Sequence, residues 1–424
     1  MLVSTTAIDI TPHCPVKLCG YINDIRLAQR TQTAHAPIYA IALRLVLENS
    51  QLLILTMDIL SIMKNRAEQI KDSITQAYSI KKEEIFIHAI HTHAGPSGFS
   101  ADAMGKEYED NVTYREDVIS RICTGLKPVF AKAEEARAFM GKTEIHGFYD
   151  NRNDRNRYYD ADAYRLQFRS DDQLIAELVN INVHSTVLGP TNMEISYDLI
   201  GTIREELHKR ENIYPLLCIG TSADISNRHY REGDDFKELN RTAKGITNQL
   251  LEIQNFTEID MHTLKLDTFS YTVSYDNTLL FSGYQKELEE IQKNLEAETD
   301  KTKRKLLLSS KDKFESKLLI HKVHKELKLS LLRFPELLLV TFPGELTSVF
   351  GKYIKEQAKT PFTCIMTCTN DHHGYFIEQD QYGRCYEATA TLIPKGETEK
   401  MIKKLGELLG DDLLSHHMNV WRKV

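Results

Sequence analysis

The chain has 424 residues, of which 42% are hydrophobic and 27% charged, and its formal net charge is −7 at pH 7. This composition is typical of a globular protein with apolar material for one large domain or two ordinary ones. The acidic balance argues against nucleic-acid binding, which calls for a basic surface, and no apolar run approaches the roughly 18 residues that a membrane span needs. The seven cysteines are scattered and odd in number, and the N-terminus has no basic leader, so we expect reduced thiols and a cytoplasmic protein.

Short apolar runs alternate with amphipathic stretches along most of the chain, which is typical of an α/β fold. The predicted strands cover residues 40–47, 52–56, 85–90, 176–183, 214–220, 261–275, 336–342 and 363–367. The predicted helices cover residues 65–78, 118–127, 198–209, 346–355 and 396–409, with Asp198 as a helix N-cap. Strand, helix and strand follow one another between residues 52 and 90, and this βαβ pattern predicts a mainly parallel sheet.

Residues 284–329 differ in composition from the rest, because they are rich in Lys, Glu and Leu. Tyr284, Leu288, Ile291 and Leu295 have the spacing of one helix face, and Phe314, Leu318, Val323 and Leu327 have that of another. The segment therefore predicts a charged helical hairpin, inserted in a single domain that covers residues 1–424.

The stretch around His91 and His93 carries the first sign of chemistry. An apolar run ends there in His-Thr-His and then in a Gly-Pro turn. Because side chains of a strand alternate between its faces, His91 and His93 are expected to point the same way. Paired imidazoles at a strand exit suit a metal or an acid–base site. The alternative is one histidine in the core and the other in a loop.

Further polar side chains follow other predicted strands. They are His184, Ser226, Glu345 and Tyr375. Ligands of open α/β sheets bind where the carboxyl ends of several strands meet, so these side chains are expected to converge. Two histidines and one glutamate are also a known ligand set of catalytic zinc with an open position. The pattern indicates a metal-assisted hydrolase. A lone serine such as Ser226 is either a nucleophile, an anchoring hydroxyl or a residue that stabilises its own turn.

The polar segment 147–159 contains three arginines, Arg152, Arg155 and Arg157. Such a run is commonly a solvated loop. The alternative is that one arginine turns inward and holds an anionic or carbonyl group, to which its planar fork is suited.

Taken together, these pieces resemble the N-terminal catalytic domain of the neutral (alkaline, non-lysosomal) ceramidases, which are zinc-dependent amidases. The family's HTHSGP appears as His91-Thr92-His93-Ala94-Gly95-Pro96, and its PGE as Pro343-Gly344-Glu345. The other matching pieces, in the family's order, are Asp9-Ile10-Thr11, Gly20-Tyr21, Asn151-Arg152, His184 with Asp198 and Gly201, Ala223-Asp224-Ile225-Ser226, Tyr375, and Arg384-Cys385-Tyr386-Glu387-Ala388.

The resemblance implies roles for eight residues. His91, His184, Glu345 and Tyr375 would bind Zn²⁺. His93, Arg152 and Tyr386 would line the amide as hydrogen-bond or proton-transfer partners, and Ser226 would be the active-site serine. It also implies mixed β-sheets flanked by helices and a lipid N-acyl amide such as ceramide as substrate. Attack by metal-activated water is favoured over a Ser226 acyl-enzyme, because no His/Asp pair that could activate Ser226 is visible.

The chain departs from the family pattern in several places. Asn227 and Arg228 follow Ser226 where the family has Pro-Asn, and the helical hairpin has no evident counterpart. The C-terminal immunoglobulin-like domain of the family is not expected here. Two alternatives to the amidase therefore stay open: a non-catalytic relative that binds a lipid or a partner, and an esterase that acts on a substrate other than a sphingolipid.

Overall fold

The computed structural model describes residues 1–22, 24–100 and 111–421, and it confirms the predicted α/β class. The strands are β1 (Leu2–Asp9), β2 (Tyr39–Val46), β3 (Gln51–Met57), β4 (Ile85–Ala89), β5 (Glu134–Glu135), β6 (Arg137–Glu144), β7 (Asp150–Asn151), β8 (Asp162–Ser170), β9 (Gln173–Ile181), β10 (Leu216–Ile219), β11 (Ile225–Ser226), β12 (Thr257–Ile259), β13 (Lys265–Asp276), β14 (Lys322–Arg333), β15 (Leu337–Thr341), β16 (Glu345–Leu346), β17 (Phe362–Met366) and β18 (Tyr375–Phe376). The helices are α1 (Asp24–Ala28), α2 (Lys64–Ala77), α3 (Val112–Gly125), α4 (Lys127–Ala131), α5 (Asp198–Glu211), α6 (Phe236–Leu251), α7 (Phe281–Ala297), α8 (Lys301–Leu318), α9 (Ser348–Ala358), α10 (Tyr386–Ala390) and α11 (Glu397–Trp421).

The N-terminal sheet has the strand order β4-β3-β2-β1-β5. Strands β3 and β4 are parallel and are connected through α2, which is the βαβ unit that the sequence predicts. Strands β1, β2 and β3 pair antiparallel. The prediction of a mainly parallel sheet is therefore wrong, because the connection of residues 47–50 between β2 and β3 is too short for a parallel crossover.

Strand β2 shows why the predicted strands of this half are apolar without a clear alternation. Ala40 and Ala42 belong to the core between this sheet and the helices, whereas Ile41 and Leu43 belong to the core shared with the other sheets. All four side chains are buried. A strand covered on both faces is apolar at successive positions.

Two further sheets, of five and four strands, pack against the first, with orders β10-β9-β8-β6-β12 and β13-β14-β15-β17. The buried His88 of β4 connects all three. Its Nδ1 lies 3.0 Å from the Thr369 hydroxyl, just after β17, and its Nε2 accepts a 2.9 Å hydrogen bond from the Ile219 N–H at the end of β10. The carboxyl ends of β4, β10 and β17 therefore lie close together.

Helices α7 and α8 form an antiparallel pair around Ile291, Leu295 and Phe314. Val323 and Leu327 were expected in the second helix but lie in β14, which pairs with β13. Residues four apart share a face in a helix and in a strand alike, so their spacing cannot distinguish the two. The helical part of the predicted segment ends at Leu318.

Asp198 is the first residue of α5 but not its N-cap, which is Tyr197. The φ of Asp198 is +48°, and its buried carboxylate accepts hydrogen bonds from the backbone N–H groups of Val187 (3.0 Å) and Leu188 (3.2 Å). Asp198 thus stabilises the loop that follows His184. No helix in the described part of the chain is long and apolar enough to cross a bilayer.

A buried ion pair fixes α5 against the end of β3. Both carboxylate oxygens of Asp58 accept from the Arg204 guanidinium, at 2.7 and 2.9 Å, and both side chains are almost fully buried. We expect Asp58→Ala to lower the free energy of unfolding by about 3–5 kcal/mol, because Arg204 would stay buried without its main counter-charge. Urea unfolding measures this loss. The matched control is Glu258→Ala, which removes the exposed pair with Arg137 and should cost less than about 1 kcal/mol. Equal losses would contradict the structural role of Asp58.

Candidate active site

A cleft of about 340 Å³ opens where the carboxyl ends of the strands meet. The structure brings all eight of the residues singled out from the sequence together here. The cleft is lined by His91, His93, Arg152, Ser226, Glu345, Tyr375 and Tyr386. His184 is fully buried, and its Nε2 lies 3.1 Å from Oε2 of Glu345. The assignment of these eight residues as metal ligands and catalytic groups stays a prediction.

Three imidazoles of the site are held in one tautomer. Each places its Nδ1 against a main-chain carbonyl oxygen, which can only accept a hydrogen bond, so Nδ1 carries a proton and, in the neutral ring, Nε2 carries a lone pair. These bonds join His91 to Leu60 (2.9 Å), His93 to Gly20 (2.8 Å) and His184 to Ser222 (2.6 Å). Such a carbonyl partner is the usual outer-sphere support of a metal-binding histidine.

The free Nε2 atoms face one another and the carboxylate of Glu345. Oε2 of Glu345 lies 3.3 Å from Nε2 of His91 and 3.1 Å from Nε2 of His184, and the Nε2 atoms of His91 and His93 are 3.4 Å apart. Facing lone pairs repel unless a cation lies between them. Tetrahedral zinc, with bonds of about 2.0–2.1 Å, holds its ligand atoms about 3.3 Å apart, so the donor set fits such an ion.

Two buried atoms support this fit. Nε2 of His184 and Oε2 of Glu345 are without a hydrogen-bond partner in the described structure. Nitrogens of His91, His93 and His184 lie within 4.8 Å of one another, which is compatible with a three-histidine site as well. The residues therefore offer two overlapping ligand sets, one with Glu345 and one with His93.

The charges of the cluster are coupled. Burial alone would raise the pKa of Glu345, but the facing imidazoles of His91 and His184 outweigh it and hold that pKa well below its usual range. Burial, followed by the charge of Arg152, lowers the pKa of His184 to about 4. For His91, the charges of Glu345 and Cys368 outweigh burial and raise the pKa. The positive charge that faces the Glu345 carboxylate is therefore either a proton on His91 or a metal cation.

His91 and His93 reach the same site for a reason other than the predicted one. Strand β4 ends at Ala89, so neither histidine lies in it. His91 has a φ of +60°, in the left-handed region that few residues other than glycine adopt. The expectation that strand alternation aligns the two side chains is wrong: a turn aligns them, and the carbonyls of Leu60 and Gly20 fix each ring separately.

Gly20 is the residue of the Gly20-Tyr21 motif that holds His93. Its φ is +97°, and a Cβ there would lie 2.6 Å from Cγ of His93. We expect Gly20→Ala to displace the imidazole and to lower the activity of the site by about 10–100-fold, as loss of an outer-sphere partner does.

The matched control is Gly147→Ala. Gly147 also has a positive φ, +80°, but nothing lies within 4 Å of the added carbon. That variant carries the backbone strain without the clash, so its rate should stay near that of the unchanged protein. Equal rates for the two variants would show that the Gly20 carbonyl does not position His93.

In the segment 147–159, part of the chain is a solvated loop and one arginine turns inward, so both alternatives drawn from the sequence apply in part. Residues 153–156 are exposed, as in a solvated loop. Arg152 turns inward instead: its Nε donates to Oε1 of Glu387 at 2.6 Å, and its Nη2 donates to the Tyr375 hydroxyl at 3.5 Å. Arg155 binds Asp150 near the surface. The buried guanidinium of Arg152 therefore belongs to the cleft.

Glu345 and Tyr375 are placed side by side by the short parallel pair of β16 and β18. Gly344 precedes them, and a Cβ there would lie 2.6 Å from the carbonyl oxygen of Gly374. The close approach of the two chains therefore requires glycine at position 344, which explains the Pro-Gly-Glu sequence. Tyr386 begins α10, with its ring 6.3 Å from that of Tyr375.

Ser226 lies in β11 at the cleft wall and is buried. Its hydroxyl accepts a hydrogen bond from the backbone N–H of Arg228 at 3.3 Å. Within the described chain, no imidazole or carboxylate lies in hydrogen-bond contact with that hydroxyl. The preceding Asp224 has a structural part, since it binds Asn151 (2.8 Å) and the Ser348 hydroxyl (2.7 Å).

Sequence reasoning assigned no role to two residues of the site. His372 is buried in the cleft wall, with Nε2 3.6 Å from Oε1 of Glu345, and Glu387 is the main partner of Arg152. Both lie in polar loops beside residues that were singled out, Tyr375 and Tyr386. That proximity is the signal that could have drawn attention to them.

Comparison with known proteins identifies similar sequences and folds. The model of the family "Neutral/alkaline non-lysosomal ceramidase, N-terminal" matches residues 1–213. Among solved structures, the neutral ceramidase from Pseudomonas aeruginosa superposes with a TM-score of 0.74 at 18% identity, over 96% of this chain and 74% of that one. A ceramidase complexed with C2 superposes with a TM-score of 0.72 at 15% identity, over 96% and 74%. No curated protein sequence matches significantly.

Proposed function

Because the chain belongs to the neutral/alkaline non-lysosomal ceramidase family, we propose that it is a zinc-dependent hydrolase that cleaves the N-acyl amide bond of ceramide or a related N-acyl lipid. One observation carries the metal dependence: three imidazoles are each fixed through Nδ1 by a main-chain carbonyl, two of them place Nε2 within 3.3 Å of one buried carboxylate, and the third places Nε2 3.4 Å from that of His91. An arrangement of acceptors without donors is that of a cation site.

The proposed ligands are His91, His184, Glu345 and Tyr375. His91 and His184 lie within 3.3 Å of the Glu345 carboxylate, and Tyr375 is the strand partner of Glu345. When bound, zinc polarises a carbonyl oxygen and lowers the pKa of water. We assign His93 as the proton acceptor and not as a ligand, because Glu345 already lies within 3.3 Å of the other two imidazoles.

His93 is held ready to accept a proton. Burial, followed by the charges of His91 and His184, lowers its pKa well below the usual value, so its Nε2 carries a lone pair at neutral pH. The Gly20 carbonyl keeps the proton on Nδ1. A base in this position takes a proton from the attacking water and passes it to the leaving amine.

Arg152 supplies positive charge to the oxygen of the amide. Its Nε and Nη2 are used by Glu387 and Tyr375, and no described residue accepts from its Nη1. A buried, preorganised donor of this kind stabilises the oxyanion that develops as the carbonyl is attacked. Tyr386, at the same wall, is the second proposed donor.

Ser226 is assigned to substrate binding and not to nucleophilic attack. A serine nucleophile needs a base within hydrogen-bond reach, whereas, among the residues that the structure describes, the hydroxyl of Ser226 forms a hydrogen bond only with the N–H of Arg228. This supports the water-based mechanism over an acyl-enzyme.

The test is hydrolysis of fluorogenic N-acyl amides, from short to long acyl chains, before and after treatment with a zinc chelator. We expect hydrolysis that the chelator abolishes and added zinc restores. Hydrolysis of esters that the chelator leaves unchanged would indicate a metal-independent esterase instead. Saturable lipid binding without turnover of any amide would indicate a non-catalytic relative.

A further inference from the structure

The cleft carries an excess of positive charge, although the whole chain has a net charge of −7. Five cationic side chains line it: Arg152, Arg228, Arg231, Lys313 and Arg384. Of the residues that the structure describes, two carboxylates do so, Glu345 and Glu387. Glu345 is engaged by imidazoles and Glu387 by Arg152. Lys313 forms an ion pair with Asp312 at 3.6 Å, whereas Arg228, Arg231 and Arg384 have no carboxylate partner among the described residues of the cleft.

Three of these arginines have no carboxylate within 4.0 Å in the described structure. Arg228 donates through Nη1 to the main-chain carbonyl of Arg152 at 3.3 Å, and Arg231 donates to that of Thr186 at 3.4 Å. Arg384 lies at the same rim. By contrast, Arg157 of the adjacent loop forms ion pairs with two carboxylates, at 3.0 and 3.2 Å. The three arginines of the rim therefore lack the carboxylate partners that Arg157 has.

The cations also crowd one another. Desolvation by the cleft wall, followed by the positive charge of Arg152, lowers the pKa of Arg228; the charge of Glu387 opposes this shift, and that of Arg231 adds to it. Like charges gathered at the mouth of a cleft destabilise the unliganded protein and favour an anion that enters it. Arginine is suited to this task, because its fork binds carboxylate, sulfonate and phosphate oxygens in pairs.

Helix α8 of the charged hairpin completes the wall. Leu306, Ser309 and Lys313 lie at helical spacing on one face of α8, and all three line the cleft. Lys313 is nearly buried, at 9% exposure. The hairpin is therefore part of the binding site. At about 340 Å³ the cleft is at the small end of the range of ligand sites, which is roughly 300–1,000 Å³.

We propose that the substrate of this cleft is an N-acyl amide with an anionic group close to the scissile bond, which the rim formed by Arg228, Arg231 and Arg384 binds. This inference rests on the proposed amide hydrolysis and specifies its substrate class. A neutral diol head group, as in ceramide, leaves the arginines of the rim without a counter-charge, whereas a carboxylate, sulfonate or phosphate supplies one.

The test compares three amides with the same acyl chain: N-lauroylglycine, N-lauroyltaurine and the neutral N-lauroylethanolamine. We expect kcat/KM for at least one of the anionic amides to exceed that of the neutral amide by about tenfold or more, the effect of one charge-assisted hydrogen bond. The ratio should fall toward one in the double variant Arg228→Gln/Arg231→Gln. The control Arg137→Gln, at a distant exposed ion pair, should keep the ratio.

The outcomes separate the two proposals. A preference for both anionic amides supports recognition of negative charge, and a preference for the glycine conjugate alone supports recognition of carboxylate. Equal turnover of all three amides overturns the anionic substrate and leaves amide hydrolysis intact. If no amide is hydrolysed, the proposed function fails, and calorimetric titration with N-lauroylglycine and N-lauroylethanolamine then decides: tighter binding of the anion supports the inference, and equal binding overturns it.

Discussion

Replacing His184 by alanine is expected to abolish both zinc binding and amide hydrolysis. The imidazole is fully buried, its Nδ1–H is held by the Ser222 carbonyl at 2.6 Å, and its Nε2 lies 3.1 Å from the Glu345 carboxylate. Loss of an outer-sphere partner alone costs about 10–100-fold in metal affinity or activity, so loss of a ligand should exceed 100-fold. Metal content and the rate of amide hydrolysis, measured on the same preparation, check both effects.

The matched control for this variant is His208→Ala. His208 likewise places Nδ1 against a main-chain carbonyl, that of Ile213 at 3.0 Å, but it lies on α5 away from the cleft. This variant should retain zinc and activity. A His184→Ala protein that is folded, as judged by circular dichroism, and still binds one zinc per chain would refute the assignment of His184 as a ligand.

The second large effect is expected for Arg152→Lys. Lysine keeps the charge but cannot bind Glu387 through Nε and reach Tyr375 through Nη2 at once, as the guanidinium does at 2.6 and 3.5 Å. Removing one donor from an oxyanion site costs about 10²–10³ in kcat, so we expect a loss of this size with a smaller change in KM. Steady-state kinetics on the best N-acyl amide gives both constants.

Arg155→Lys is the control, since Arg155 lies three residues away, is exposed and binds Asp150. Its kcat should stay within about twofold of the unchanged protein, as for other exposed ion pairs. If Arg152→Lys loses no more than this control, the buried guanidinium takes no part in the chemistry, and its bond to Glu387 is structural.

The strands of the sheets could be predicted from the sequence because short apolar runs bounded by turn residues are typical of buried strands. The observed β3 and α2 lie within one residue of the prediction, whereas β4 ends before the two histidines that were expected in it. Strand direction was predicted less well, because the βαβ unit of β3 and β4 was extended to β2. The short connection between β2 and β3 already implied an antiparallel pair.

The end of the helical hairpin was misplaced for a different reason. Val323 and Leu327 are four residues apart, which suits a helix face, yet Lys328 and Ser330 alternate with leucines along β14. Alternation over residues 327–331 was the better signal. It was masked by the Lys-rich composition that β14 shares with α8.

At the site, the residue types were visible from the sequence but not the atoms that orient them. Main-chain carbonyls hold the imidazoles, and a carbonyl has no signature in the sequence, so Leu60 and Ser222 could not be named. The turn that places His91 at a φ of +60° was equally hidden. Arg152 is the arginine of the 147–159 segment that turns inward, because it binds Glu387. Glu387 lies more than two hundred residues away in the sequence, so this pairing could not be predicted from the segment itself.

Anomalous diffraction at the zinc edge, from crystals grown with zinc, tests the proposed ligand set most directly. We expect one peak about 2.0–2.2 Å from Nε2 of His91, Nε2 of His184, a carboxylate oxygen of Glu345 and the phenol oxygen of Tyr375, with His93 outside bonding distance. No peak at the cluster would contradict the metal site, and a peak ligated by His93 without Glu345 would contradict this ligand set.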